Sequence, residues 1–166
     1  MLDYLGIFRE FNKKKIKYIV VGGLAVNLYG IPRMTYDIDL LLKMGDENLK
    51  KFVVLLKKWG FRPKPPVDIM DFCKKGKREI WIKEKNMRAF NLYNPSWALS
   101  EIDIIINTPV NYEQAKKNIK YVKLSNVKIP LIGIEDLIKM KKKSCRKQDK
   151  IDCRYLKKIL DYEGRI

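Results

Sequence analysis

Tyr18-Ile19-Val20-Val21 is a run of four apolar residues, three of them β-branched, that halts at Gly22-Gly23. So short and branched a run predicts a strand buried on both faces. Leu24 to Tyr29 then reads as a short helix closed by Gly30 and Pro32. A buried strand that turns straight into a helix calls for a sheet layered with helices. Upstream, Leu2, Leu5, Phe8 and Phe11 recur at helical spacing, and a Lys-rich link runs from Asn12 to Lys17.

Downstream, Tyr36 to Leu42 predicts a second strand. Asp46 is the expected N-cap of a helix whose inner face is Leu49, Phe52, Val53 and Leu56, with Gly60 as its stop. Pro63, Pro65 and Pro66 mark a loop. Glu79 to Lys83 and Glu101 to Ile106 read as strands, with an aromatic stretch from Met87 to Trp97 between them. Val122 to Leu124 and Val127 to Ile129 flank Ser125-Asn126 as a hairpin. Helices over Ile134 to Lys143 and Gln148 to Tyr162 end the chain, the last turning Ile151, Tyr155, Leu156, Ile159 and Leu160 inward. Without repeats or low-complexity tracts, one α/β (α+β) domain over residues 1–166 is expected.

Composition removes whole classes of chemistry. The 166 residues include no histidine, which excludes Ser-His-Asp and Cys-His catalysis, imidazole bases and His-ligated metals. Cys73, Cys145 and Cys153 form no C-x-x-C pair, so neither a disulfide framework nor a sequence-local zinc site is expected. Carboxylates remain, and they favour hard cations such as magnesium. No apolar run approaches the ~20 residues of a membrane span and no secretory leader precedes the first charges, which predicts a cytoplasmic protein. The net charge of +17 attracts phosphates, although a Lys-rich solvated surface would account for part of it.

Asp37 and Asp39 alternate with Ile38 and Leu40, so the two acids share one face of their strand, roughly 7 Å apart. Aspartate is depleted in strands. Asp-Ile-Asp alone is equally a strand whose polar face meets water. Asp103, inside Ile102-Asp103-Ile104-Ile105-Ile106, is a third acid in an apolar strand. If the two strands are neighbours, ~4.8 Å apart, the three carboxylates cluster and require cations to neutralise them. Two magnesium ions roughly 4 Å apart would do so and bridge an attacking oxygen and a triphosphate. Gly22-Gly23, between strand and helix, would let a phosphate approach the backbone; a lone Gly-Gly is otherwise just a turn.

Val21-Gly22-Gly23, thirteen residues, then Asp37-Ile38-Asp39-Leu40 resembles the signature of the DNA polymerase β-like nucleotidyltransferase superfamily. The stretch from Tyr18 to Leu40, with Arg33 and Thr35 before the acids, is similar to its minimal prokaryotic branch, which includes relatives of toxin–antitoxin and abortive-infection nucleotidyltransferases. The tail, from Ile134-Glu135-Asp136-Leu137-Ile138 through Lys141, Arg146, Asp149 and Asp152, resembles that branch's closing pattern. Gln148 departs from it, as do Cys145 and Lys147. The resemblance covers about residues 15 to 42 and 100 to 160.

It implies a mixed sheet flanked by helices, with C-terminal helices, and transfer of an NMP from a nucleoside triphosphate to a hydroxyl with release of pyrophosphate. Asp37 and Asp39 would ligate magnesium or manganese, and Asp103 would complete the site or take the hydroxyl's proton. The acceptor would be an RNA end such as tRNA, or a protein side chain, and a partner toxin or antitoxin would accompany the chain. Arg33 and Lys141 are candidates for phosphate contacts, the alternatives being a loop cation and a solvated lysine of the run Lys139 to Lys143. Asp149 and Asp152 are expected to pair with lysines or cap the last helix, and Trp81 and Trp97 to pack in the core rather than stack on a base. The competing readings are a catalytically inactive module of the same fold that binds RNA or protein, and a carboxylate-metal nuclease.

Overall fold

The computed structural model describes residues 3–97 and 101–164; Leu2 lies outside them. The first half holds α1 (Tyr4–Lys13), β1 (Tyr18–Val21), α2 (Gly22–Leu28), β2 (Asp37–Leu42), α3 (Asp46–Lys58), β3 (Arg62–Pro63) and α4 (Lys75–Lys85). There follow β4 (Ala89–Tyr93), β5 (Glu101–Ile105), α5 (Tyr112–Ala115), β6 (Lys120–Leu124), β7 (Val127–Leu131), α6 (Ile134–Ser144) and α7 (Lys147–Glu163). The strands form one mixed sheet in the order β3-β4-β5-β2-β1-β7-β6.

β1 is buried at every position, as its apolar run predicts, and turns directly into α2. It pairs antiparallel with β2 and parallel with β7. β2 pairs parallel with β5, which pairs antiparallel with β4. Along β2, β4 and β5 one face is fully apolar: Ile38, Leu40, Phe90, Leu92, Ile102 and Ile104 are all buried. The opposite face carries the acids.

α1 starts at Asp3, whose carboxylate accepts from the Gly6 amide at 2.7 Å, and buries Ile7, Phe8 and Phe11. α3 buries Leu49, Phe52, Val53 and Leu56 as its periodicity predicts, and Gly60, at φ +86°, follows its end. Its N-cap is Gly45 rather than Asp46, which is the first helical residue and faces the helix dipole from there. The hairpin of β6 and β7 turns through Ser125, at φ +53°.

Further expectations are corrected. Glu79 to Lys83 is not a strand but the second half of α4. Ile80-Trp81-Ile82 looks β-like locally, yet only Arg78 and Trp81 of this helix are buried, three apart, while Ile80 is exposed. Trp81 stacks on Phe90. The aromatic stretch after it contains a strand, β4, and Pro63 pairs in β3 opposite Leu92. Finally, α7 is rotated from its apolar pattern: Asp149, Asp152, Cys153 and Leu156 face inward, whereas Ile151 and Tyr155 are exposed. Burial of two acids against cations of α6 and the α2–β2 loop outweighs burial of Ile151 and Tyr155.

Asn48 fixes how α3 meets the sheet. Its side chain is buried, accepts from the Lys17 amide at 2.7 Å, and donates to the carbonyls of Lys17 and Lys43 at 2.9 Å each. These backbone groups flank the ends of β1 and β2. Among the described residues no helix is long and apolar enough to cross a membrane. Asn48→Ala strips the partners from these backbone groups and is expected to lower stability by roughly 2–3 kcal/mol in urea unfolding, with an unchanged m-value.

Candidate active site

Register brings the acids together. On the parallel pair β2–β5, Asp39 lies opposite Asp103 and Asp37 opposite Glu101, so all four project from the same face. Asp39 has its carboxyl pushed up to about 6, first by burial and then by the Asp103 charge, while the Gly23 amide pulls it back as a hydrogen-bond donor. Asp103 is also raised, chiefly by burial and against a hydrogen bond from Asn91, its cross-strand neighbour on β4. Its Oδ1 is buried without any hydrogen-bond partner. Asp37 is raised by burial and by Glu101, which itself pairs with Lys64 at 2.6 Å.

The glycine pair sits against this face. Gly22 has φ +64°, a left-handed conformation that an L side chain enters at a cost, and a Cβ there would overlap the Asp39 carboxylate. At Gly23 a Cβ would come within 2.7 Å of Thr35 Oγ1 and 3.1 Å of Arg33 Cζ. The missing side chains therefore admit Asp39 and the Arg33–Thr35 loop; that much of the glycine requirement comes from the protein's own packing.

Arg33 and Lys141 occupy the other wall, and both are ion-paired. Lys141 is buried between Asp149 at 3.0 Å and Asp152 at 2.7 Å. Arg33 Nη1 meets the same Asp152 oxygen at 2.5 Å. Arg146 reaches Asp149 at 3.1 Å, and the Ser144 hydroxyl donates to Asp149. Burial opposes ionisation of Asp149, but the Ser144 hydroxyl and Lys141 outweigh it and hold its carboxyl below the ordinary value. Lys141 is thus not a solvated member of its lysine run, and Asp149 and Asp152 pair with cations as expected. Trp81 and Trp97 pack against Phe90 and against Trp59 and Phe61, in the core.

Two cavities meet at Asp39 and Asp103. One, of about 170 Å³, is lined by Gly22, Gly23, Arg33, Thr35, Asp37 and Lys141 among others, so it gathers the candidate metal and phosphate ligands that the sequence singles out. The other, of about 420 Å³, runs past Ala89, Ile105, Leu137 and Met140, with Arg88 and Lys143 at its walls. The donor set fits a hard divalent cation: only carboxylate oxygens, one of them buried and unpartnered, on acids that burial and mutual repulsion hold toward protonation. Among the described residues no three such side chains are already drawn together tightly enough to hold an ion. Glu101, Lys64 and Asn91 were not anticipated. Glu101 was readable, since Glu101-Ile102-Asp103 repeats the alternation of Asp37-Ile38-Asp39.

A family model described as nucleotidyltransferase of unknown function (DUF6036) matches residues 6–162. No curated protein matches the chain in sequence. Among solved structures, the lincosamide antibiotic adenylyltransferase LnuA, lincomycin-bound, superimposes with a TM-score of 0.61 at 20% identity, over 91% of this chain and 92% of that one. The antibiotic-resistance factor ANT(2'')-Ia follows at 0.60 and 13%, over 95% and 82%. An antigenic nucleotidyltransferase-like protein from Paracoccidioides brasiliensis reaches 0.51 and 16%, over 92% and 71%. At these identities the likeness is one of fold.

The raised Asp39 carboxyl has a definite sign for stability. Below its unfolded value of 3.8 it is protonated in both states and costs nothing; between 3.8 and about 6 only the folded chain keeps the proton. Above about 6 the folded state bears the full penalty of the charge. Asp39→Asn is expected to stabilise chelator-treated protein at neutral pH by on the order of 2–3 kcal/mol, an advantage that disappears near pH 4. Gly22→Ala should destabilise by ~2 kcal/mol or more at either pH. Denaturant titrations at both pH values check the pair.

Proposed function

The chain belongs to the DUF6036 family of nucleotidyltransferases, and from that premise we propose that it moves an NMP from a nucleoside triphosphate to a hydroxyl acceptor at the Asp37–Asp39–Asp103 face, in a divalent-metal-dependent reaction. The observation that carries this reading is the in-register pair Asp39 and Asp103, with one buried Asp103 oxygen unpartnered. Asp37, Asp39 and Asp103 would hold magnesium or manganese. Such a metal, when bound, would supply charge neutralisation on the phosphates and a lower pKa for the acceptor hydroxyl.

The protein's own residues do the positioning. Gly22 and Gly23 present bare backbone to the smaller cavity, where the triphosphate would lie. Arg33 and Lys141 line the same cavity, held rigid by Asp149 and Asp152, and so offer fixed hydrogen-bond donors rather than mobile charge. The acceptor oxygen bonds to the α-phosphorus as the bridging bond to the β-phosphate breaks, and its electron pair departs on pyrophosphate. The hydroxyl proton would pass to a carboxylate of this face, with Asp103 the candidate, because a chain without histidine offers no imidazole base.

For the acceptor, an RNA end or a protein side chain uses the basic stretch of α6 and α7, from Lys139 through Lys150. A small hydroxylated molecule is the second reading. It is favoured by the partly apolar cavity of about 420 Å³ beside Asp103 and by the antibiotic adenylyltransferase among the similar folds. Cytoplasm, where triphosphates are made and used, suits each reading.

Incubation with α-labelled triphosphates, magnesium and cell extract is expected to label one of these three classes, separable by nuclease, protease and size. Asp39→Asn and Asp103→Asn should each lower transfer on the order of 10³-fold. They should also remove the rise in melting temperature that magnesium gives the native protein. Undiminished transfer by either variant would sink the assignment.

A further inference from the structure

A third cavity, of about 380 Å³, opens at the opposite end of the central strands. Val21 lies opposite Asp39, but Tyr18 lies opposite Leu42, so Lys17, Tyr18 and Lys43 stand some 10 Å of strand away from the acids. Lys17, Lys43, Lys116 and Lys128 line this cavity together with Tyr112 and Tyr121, and no carboxylate does among the described residues. None of these four lysines makes an ion pair among the described residues, in contrast to Arg33, Lys64, Lys141 and Arg146 around the acids. Two acids stand outside this lining: Glu113, whose charge adds to burial in raising the Tyr112 hydroxyl, and Glu47, whose carboxyl is lowered chiefly by Lys51 and also by Lys43.

The walls are preorganised. The Tyr18 hydroxyl donates to Asn12 Oδ1 at 3.1 Å, and Asn12 Nδ2 donates to the Lys128 carbonyl at 2.8 Å. Lys128 Nζ stands 4.0 Å from the centroid of the Tyr121 ring, and Tyr121 is 56% exposed. Four exposed cations without ion pairs around one concavity favour an anion among them, and an exposed ring beside them offers a flat surface for stacking. Cations with a stacking platform are what a phosphate joined to a base requires. An acidic peptide would use the lysines and leave the ring idle. With no carboxylate among its described lining residues, the cavity offers a divalent cation no anionic ligand of its own.

We propose that this cavity is a second ligand site, separate from the acidic face, for a nucleotide unit, either free or within single-stranded RNA. Its volume lies within the range of about 300–1,000 Å³ usual for ligand pockets. The inference stands whether or not the acidic face transfers nucleotides, because it uses none of the same residues.

The test is binding to the full chain in the presence of EDTA, with AMP followed by calorimetry and a short oligoadenylate by fluorescence anisotropy. The triple variant Lys17→Gln, Lys43→Gln, Lys128→Gln and the single variant Tyr121→Ala should each weaken binding at least tenfold. A charge-matched triple on α4, Lys77→Gln, Lys83→Gln, Lys85→Gln, should change it less than twofold. Oligoadenylate binding well above AMP identifies an RNA strand as the source, and comparable binding identifies the free nucleotide. Equal losses in the two triple variants, or no binding of either probe at physiological salt, would overturn the proposal. So would oligoglutamate binding as tightly as oligoadenylate with Tyr121→Ala silent.

Discussion

Two carboxylates, Asp39 and Asp103, stand opposite each other on neighbouring parallel strands, and the rest of the structure is arranged around holding them there. Strand pairing fixes the register, because a slip of one residue would drive Ile38, Leu40, Ile102 and Ile104 out of the core and the acids into it. The apolar face thus enforces what electrostatics resists. Repulsion between the acids and their burial both favour protonation; a hydrogen bond from Asn91 and the Lys64 charge relieve Asp103 only in part, and its Oδ1 has no partner. A stability-optimised sheet would place Asn or Ser there. Retaining the acids is intelligible if a cation belongs between them.

The C-terminal helices answer a different problem, that of keeping cations near those acids without letting them neutralise the site. Asp149 and Asp152 face inward from α7 and grip Lys141 and Arg33, so these cations point at the cavity but are already paired. A bare Lys141 in that position would instead lean toward Asp39 and Asp103, as its lowering influence on Asp39 indicates. Buried ion pairs add little to stability over apolar packing, so they are better understood as a means of specifying geometry. Here they determine which face of α7 turns inward and thereby lock α6, α7 and the α2–β2 loop into one wall.

Much of this was legible in the sequence wherever local pattern and tertiary demand agree. β1, β2, β5, α3 and the β6–β7 hairpin follow from apolar period and turn residues. The acids were readable from their alternation with apolar residues inside strands, and the glycine pair from its place between a strand and a helix. What local pattern could not supply was long-range charge pairing: Lys141 sits in a run of exposed lysines yet is itself buried, and α7 turns Ile151 outward to bury Asp152. α4 was misread because Ile80-Trp81-Ile82 carries strand-like residues, while the helix needs only Arg78 and Trp81 for its contact with the core. The purpose of Gly22 was half legible. A left-handed turn is foreseeable in Gly-Gly, but its contact with the Asp39 carboxylate depends on a strand fifteen residues on.

The pairing of cations also constrains how a triphosphate would arrive. A net charge of +17 suggests a field that draws phosphates everywhere. Around the acidic face, however, Arg33, Lys64, Lys141 and Arg146 are each matched to a carboxylate, whereas Asp37, Asp39 and Asp103 have no ion-pair partner among the described residues. The local field there is therefore set by the unmatched acids and opposes a bare triphosphate despite the overall charge. On the proposed reading, the species that fits is a triphosphate already carrying its divalent cation, whose positive centre meets the acids while the phosphate oxygens meet the glycine turn and the fixed donors of Arg33 and Lys141. The surplus of positive charge lies elsewhere on the surface, so it steers polyanions to the protein without setting the chemistry of this cleft.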